Sequence, residues 1–166
     1  MTAVEPLSET ETPLSADFHD PRHGYYFEDL KEGMQAVHSK TIGEADILMF
    51  AGVSGDTNPL HLDAEFAQDQ HFGERIAHGM LSASLISTVI GTRLPGPGCI
   101  YVSQNLKFKA PVKIGDTVLA RVEVTRLTTE TRRARLKTTC LVGDVVVIEG
   151  DATVLVPSRK RQLNDE

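Results

Sequence analysis

The sequence predicts an α+β domain in which a curved antiparallel sheet of about five strands wraps around one central buried helix. The stretch from Met80 to Gly91 is rich in small residues and apolar on more than one face, as expected of a helix buried on most sides. The chain after it alternates apolar and polar residues between short turns, which is typical of antiparallel strands. With 166 residues and 40% hydrophobic content, the chain can form one domain with a sizeable core.

Helical elements are predicted before the central helix. Residues 41–44 have the Thr-x-x-Glu form of a capping box, and apolar positions follow at helical spacing. We therefore predict a helix from about 42 to 53 that ends near Gly55. Asp63 is expected to cap a second, short helix that runs through Ala67.

Five strands are predicted from alternation and turn residues. The first runs near Met34 to Lys40, before the first helix. The clearest runs from Ile100 to Lys109, between the Pro/Gly-rich turn at 94–98 and Pro111. The other three are expected at 118–124, 134–140 and 145–156, joined by short turns at 114–116 and 143–144.

Composition excludes some classes of function. The net charge of -6 argues against nucleic acid as the main partner, because a phosphate backbone needs a basic surface. The two cysteines, Cys99 and Cys140, have no close-spaced partner, so buried thiols are expected instead of a disulfide or a metal site. There is no signal-like N-terminus and no apolar run of membrane-spanning length. A cytoplasmic protein without a membrane partner is the expectation.

The ends of the chain differ in composition from its middle. Residues 1–24 are rich in Glu, Thr, Ser and Pro, which predicts a mobile N-terminal extension. Residues 25–157 are expected to form the single domain. Residues 158–166 are expected to form a short polar tail.

The segment from Asp56 to His61, with the sequence Asp-Thr-Asn-Pro-Leu-His, concentrates groups suited to proton transfer. Pro59 restricts its own backbone and pushes Asn58 into an extended conformation, so no ordinary helix is expected to run through the segment. In such a turn the Asp56 carboxylate and the His61 imidazole can face the same volume, while Asn58 stiffens the loop. Alternatively, Asp56 and Asn58 only shape the turn and His61 is structural.

Gly79 stands at the predicted start of the buried helix. Unpaired backbone N–H groups and the positive end of the helix dipole coincide there, and glycine lets an oxygen approach closely. A thioester or carboxylate oxygen could bind at this point. Alternatively, Gly79 only permits tight packing. Ser87 lies about two turns further on the same helix face, where it could approach the site or serve helix packing.

Metal and phosphate sites are not expected. Five potential metal ligands fall within a short span, but no closely spaced zinc signature is present among Asp56, His61, Asp63, His71 and His78. The glycines at 96 and 98 alternate with prolines, which lack N–H donors, so this segment is a turn. Basic residues alternate along one predicted strand, where they form a solvated face or contact a nucleotide phosphate of the substrate: Arg133, Arg135 and Lys137.

From about Thr41 to Val156 the chain resembles the MaoC-like, R-specific enoyl-CoA hydratases of the hot-dog fold. The resemblance is carried by residues 50–61, which contain the complete Asp-x-Asn-Pro-x-His element, by Ala-His-Gly-Met at 77–80, and by the strand at 101–108. The motif shows no departure from the family pattern. Only the N-terminal extension lies outside the usual short form.

The resemblance implies reversible addition of water to the trans-2 double bond of an enoyl-CoA, giving the (R)-3-hydroxyacyl-CoA. Asp56 and His61 would hold the water and exchange the proton, and the Gly79 N–H would donate to the thioester oxygen. Asn58 would support the loop. The resemblance further implies an acyl-CoA substrate, no cofactor and a homodimer. A hot-dog acyl-CoA thioesterase and a non-catalytic acyl-CoA-binding subunit are the alternatives.

Overall fold

A five-stranded antiparallel sheet with strand order β1-β3-β4-β5-β2 dominates the fold. The computed structural model describes residues 22–159. The helices and strands, in chain order, are β1 (Gln35–Thr41), α1 (Glu44–Ser54), α2 (Pro59–Leu62), α3 (Ala64–Gln68), α4 (Gly79–Thr92), β2 (Ile100–Phe108), β3 (Thr117–Thr128), β4 (Arg133–Val142) and β5 (Val145–Leu155). The predicted α+β arrangement and its five strands are confirmed.

Helix α4 packs on one face of the sheet, as the sequence predicts. Alternate residues of β3 and β4 are fully buried, because one face of each strand contacts the core. The apolar side chains that meet there belong to one cluster, which includes Leu85, Ile86, Val89, Val122 and Leu136. Burying this many apolar side chains fixes the position of α4, and with it the position of the helix start at Gly79.

Strand β3 is longer than the predicted strand at 118–124. It continues to Thr128 and pairs with β4 along its length, with a register shift between Val124 and Arg126. A shift of this kind turns the following residues to the other face. The apolar alternation therefore breaks at the irregularity while the strand continues.

The predicted capping box at the start of α1 is wrong in detail. Strand β1 extends through Thr41, whose hydroxyl bonds that of Thr117 across the strand pair at 2.7 Å. The Gly43 amide instead donates to Asp46 Oδ2 at 2.9 Å, and Glu44 binds Arg75. The predicted end of the helix is confirmed, because its C-cap residue is a glycine in the left-handed conformation, Gly55 at φ 76.

The two ends of the described chain meet. The guanidinium of Arg159 binds both carboxylate oxygens of Asp29 at 2.8 Å and lies 4.4 Å above the Tyr26 ring centroid. Hydrogen bonding to Arg159 holds the pKa of Asp29 below its ordinary value. Near the start, the Gly24 amide donates to the Pro97 carbonyl at 2.8 Å. Most of the predicted extension at 1–24, and residues 160–166 of the predicted tail, lie outside the described residues.

Two further features concern the surface. The basic residues Arg133, Arg135 and Lys137 are exposed, and Arg135 forms an ion pair with Asp151 at 3.2 Å. This agrees with a solvated sheet face.

Within residues 22–159, no helix combines the length and the apolar character needed to cross a membrane.

The close pairing of β2 with β5 predicts that a substitution at Gly150 destabilises the fold. A Cβ atom at Gly150 would overlap the backbone carbonyl oxygen of Asn105, so Gly150→Ala must displace the strand pair. We expect a loss of about 1–3 kcal/mol or more in the free energy of unfolding, measured by urea denaturation. Gly52→Ala is the matched control, since nothing lies within 4 Å of a Cβ at this helical position. It should stabilise the protein by up to about 1 kcal/mol. Equal effects of the two variants would contradict this account of the strand contact.

Candidate active site

The loop between α1 and α2 presents Asp56 to solvent. Its Oδ1 accepts a hydrogen bond from the Asn58 amide at 3.2 Å, and Asn58 Oδ1 accepts one from the Leu60 amide at 3.1 Å. Asn58 thus caps α2, which agrees with the supporting role expected of it. A short helix does begin inside the hexapeptide, at Pro59. Proline is well suited to the first helical position, where its missing N–H is not needed.

His61 is held in one orientation by the backbone. It is buried, and its Nδ1 lies 2.8 Å from the carbonyl oxygen of Ile76. A carbonyl can only accept, so Nδ1 carries the hydrogen of this bond. In the neutral ring, Nε2 is then the nitrogen with the free lone pair. His61 is therefore able to accept a proton, or a hydrogen bond from water, at Nε2.

His78 is a second buried imidazole beside the first. It is 1% exposed, and its Nε2 lies 2.9 Å from the carbonyl oxygen of Asp56. By the same reasoning Nε2 carries the hydrogen. The rings of His78 and His61 lie 3.9 Å apart between centroids with their planes tilted by 34°, and the ring centroid of Phe50 lies 5.0 Å from that of His78. The Nδ1 atom of His78 is buried without a hydrogen-bond partner among the described residues.

Helix α4 begins at Gly79, directly after His78. The first amides of a helix have no intrahelical acceptor, and the helix dipole adds partial positive charge there. A Cβ at Gly79 would lie 2.7 Å from the Phe108 ring, so the absence of a side chain is needed for this packing. Gly79 therefore permits tight packing against Phe108. Because it has no side chain, the helix start also remains accessible to a ligand oxygen.

A cavity of about 580 Å³ lies beside these groups, and its lining includes Asp56, His78 and Gly79 but not His61. The rest of the lining is mostly apolar and includes Phe72, Met80, Phe108 and Ile148. A cavity with a few polar groups in apolar surroundings is typical of a small-molecule site. It has room for an apolar ligand whose polar end faces Asp56 and Gly79.

The structure brings most of the predicted site residues together. Asp56 and His61 offer ligand atoms within 4.8 Å of each other, and Gly79 lines the same cavity as Asp56. Ser87 is exposed on α4 and is not among the residues that line this cavity. His78 was not assigned a role by the sequence. Its position directly before the glycine of the helix start was the available signal.

The same cluster contains the donor types of a metal site. Side-chain donors of Asp56, His61 and His78 all lie within 4.8 Å of one another. However, His78 uses Nε2 to bind the Asp56 carbonyl, and its Nδ1 is buried. Only Asp56 and His61 can offer a ligand without disturbing the arrangement, which is one fewer than the three protein ligands of a typical catalytic zinc site.

The cysteines are poor nucleophiles. Burial raises the pKa of Cys140 to about 12, and it raises the pKa of the half-buried Cys99 as well. The thiolate is the reactive form of cysteine, so neither residue is suited to form a covalent acyl intermediate near neutral pH. The expectation of buried thiols is confirmed for Cys140 and holds in part for Cys99.

Comparison with known proteins identifies the family. The MaoC like domain matches residues 27–147. The chain belongs to this family. A MaoC-like relative from Rhodospirillum rubrum, an (R)-specific enoyl-CoA hydratase, is 62% identical over 135 residues, which cover 81% of this chain and 94% of the relative. A 3-hydroxybutyryl-CoA dehydratase from Methylorubrum extorquens is 54% identical over 135 residues, covering 81% and 86%.

Solved structures of MaoC-like relatives confirm the expected hot-dog fold. The unliganded R-hydratase PhaJ1 from Pseudomonas aeruginosa superposes with a TM-score of 0.78 at 41% identity, covering 86% of this chain and 94% of that one. The (R)-hydratase from A. caviae gives a TM-score of 0.76 at 45% identity, covering 78% and 99%. The similarity spans almost the whole length of these relatives, so it includes the site and its scaffold together.

Proposed function

We propose that this MaoC-like protein is an (R)-specific enoyl-CoA hydratase that adds water reversibly to the trans-2 double bond of an enoyl-CoA. The proposal rests on two observations: the Asp56 carboxylate and the His61 imidazole offer ligand atoms within 4.8 Å of each other, and Asp56 lines the same cavity as the start of α4. Three relatives named as (R)-specific hydratases or as a 3-hydroxybutyryl-CoA dehydratase, at 45–62% identity, support it.

The proposed reaction uses two sets of atoms: the Asp56–His61 pair and the amide at the start of α4. Water is held between the Asp56 carboxylate and His61 Nε2, and the substrate's thioester oxygen accepts from the Gly79 N–H. The water oxygen forms a bond to C3 while its proton passes to the Asp56–His61 pair. The π electrons of the double bond shift onto the thioester oxygen, and the enolate then collapses as C2 receives a proton from the pair. Dehydration is the same sequence reversed.

Each group has a separate electrostatic task. The proton acceptor makes water a better nucleophile, and a positioned acid/base group contributes roughly 10²- to 10⁴-fold to the rate. The Gly79 amide and the positive end of α4 stabilise charge that exists only as the enolate forms, a donor contribution of roughly 10²- to 10³-fold. The Asp56–His61 pair therefore transfers the protons, while the start of α4 stabilises the enolate intermediate.

The proposed roles of Asp56 and His61 predict that substitution of either residue slows hydration. Asp56→Asn and His61→Ala should each reduce kcat for crotonyl-CoA hydration by roughly 10²-fold or more, because each removes part of the proton path. The rate is followed as the loss of enoyl absorbance, and circular dichroism checks that the variants fold. Asp144→Asn, the same type of change at the exposed turn between β4 and β5, is the control and should leave the rate unchanged.

Three outcomes separate the alternatives. Wild-type rates in either folded variant would refute the proposed roles of Asp56 and His61. Release of free CoA thiol in place of hydration would identify a thioesterase. Binding of enoyl-CoA without turnover by the wild-type protein would identify a non-catalytic binding subunit.

We also propose that the reaction needs no metal or other cofactor. Support comes from the hydrogen bond that engages His78 Nε2, which leaves two accessible ligands in the cluster. Dialysis against EDTA should leave the hydration rate of the native protein unchanged. Loss of activity that returns on addition of Zn²⁺ would contradict this.

We propose that two copies of the chain associate through the edge strand β2. It lies at one end of the sheet order and exposes Ile100, Val102 and Phe108. Long, exposed apolar edges promote pairing with another strand, and two-fold pairing of identical edges closes the assembly. The opposite edge strand, β1, is shorter and more polar.

The proposed dimer predicts that a charged substitution in β2 lowers the mass of the protein in solution. Val102→Asp should shift the mass measured by light scattering from twice the chain mass toward that of a single chain, because a buried, unpaired carboxylate opposes the interface. Val145→Asp, at an equally apolar exposed position at the start of β5, should remain dimeric. A wild-type protein of single-chain mass would overturn the proposal.

A cytoplasmic location and the absence of a nucleic-acid partner complete the proposal. The first is supported by the free thiols of Cys99 and Cys140, which suit a reducing compartment. The second is supported by the net charge of -6.

A further inference from the structure

We propose that His78 is a positioning residue for the hydration reaction, and that it acts by holding the Asp56 loop against the start of α4. This inference rests on the proposed function. It assigns to His78 the task of setting the distance between the proton-transfer pair and the Gly79 amide. His78 itself does not exchange a proton with the substrate.

The Asp56 loop has few other ties to the rest of the fold. In the described chain, the other hydrogen bonds of residues 56–58 reach partners no more than three residues away: Ser54, Gly55, Asp56, Leu60 and His61. The bond from His78 Nε2 to the Asp56 carbonyl joins positions that are 22 residues apart. Asp56 is exposed, whereas His78 is almost fully buried. The bond thus connects a solvent-facing loop to the rigid core.

His78 connects the three groups of the site, which are Asp56, His61 and the Gly79 amide. His78 precedes Gly79 directly in the chain and forms the N-cap position of α4. Its Nε2–H donates to the backbone carbonyl of Asp56, and the ring contacts His61 at 3.9 Å between centroids in a tilted arrangement. Because α4 is fixed by the core, a shift of the His78 ring would move Asp56 and His61 relative to the Gly79 amide.

The chemistry of the contact specifies the histidine tautomer. The Asp56 carbonyl can only accept, so the bond requires hydrogen on Nε2 of His78. The other nitrogen, Nδ1, is buried and has no hydrogen-bond partner among residues 22–159. Nε2 is thus the nitrogen through which the ring donates.

Two variants separate the hydrogen bond from simple packing. His78→Leu keeps an apolar side chain in the buried space but removes the donor. His78→Gln places an amide N–H where it can replace the Nε2–H and donate to the Asp56 carbonyl. A small misplacement of reacting groups can cost roughly 10²-fold in rate, so His78→Leu should lower kcat by about 10- to 100-fold with a much smaller change in KM. His78→Gln should recover most of kcat.

The outcomes are distinct. If His78 only fills space, Leu and Gln variants of equal stability will have equal kcat. That result, or an unchanged kcat in folded His78→Leu, overturns the proposal. Recovery by Gln but not by Leu, at matched stability in urea denaturation, supports it.

A measurement without substrate distinguishes failure of this inference from failure of the proposed function. Nitrogen-15 NMR of labelled wild-type protein should show hydrogen on Nε2 of His78. In His78→Leu, but not in His78→Gln, backbone amide signals of residues 56–58 should shift and their exchange with solvent should accelerate. Absence of hydrogen on Nε2 of His78, or a Leu variant with an unchanged loop, overturns the inference even if the protein is a hydratase. If the NMR result holds but hydration is absent, the proposed function is wrong and the contact stands.

Discussion

The burial of α4 against one face of the sheet fixes the position of the helix start and of the two histidines beside it. Apolar side chains of α4 fill the space above β3 and β4, where alternate residues are fully buried. That packing fixes the helix start at Gly79, where unpaired amides meet the cavity. A mobile helix start could not stabilise developing charge effectively, because its amides would have to reorient during the reaction.

The same constraint organises the two histidines. His61 is oriented by the Ile76 carbonyl, from the segment that leads into α4, and His78 directly precedes the helix. Backbone carbonyls therefore set both tautomers, and they do so with opposite results: the free lone pair is on Nε2 in His61 and on Nδ1 in His78. In the proposed reaction, His61 is available for proton transfer while His78 holds the Asp56 loop. The different roles of two adjacent histidines follow from their partners and not from their residue type.

Much of the fold could be predicted from sequence because it depends on local patterns. Alternation located all five strands, and the left-handed glycine at position 55 marked the end of α1. The extension of β3 beyond Val124 could not be predicted in this way, because the register shift breaks the alternation. The predicted cap of α1 was wrong because Thr41 belongs to a strand, where its hydroxyl bonds that of Thr117, far along the chain. The proximity of Asp56 and His61 could be predicted from the turn between them. The part played by His78 could not, since its bond to Asp56 exists only once α4 is packed in place.

The stereochemical course of hydration shows whether Asp56 and His61 act together on one face of the substrate. Asp56 lines the cavity and His61 lies beside it, with ligand atoms within 4.8 Å of each other, so oxygen and hydrogen should both be delivered from the side of the substrate that faces this pair. Crotonyl-CoA incubated with the wild-type protein in D₂O should give (R)-3-hydroxybutyryl-CoA, with deuterium at C2 added to the same face as the hydroxyl. Chiral chromatography and proton NMR of the product measure both centres. An S or racemic product, or deuterium added to the opposite face, would show that this pair does not deliver both atoms.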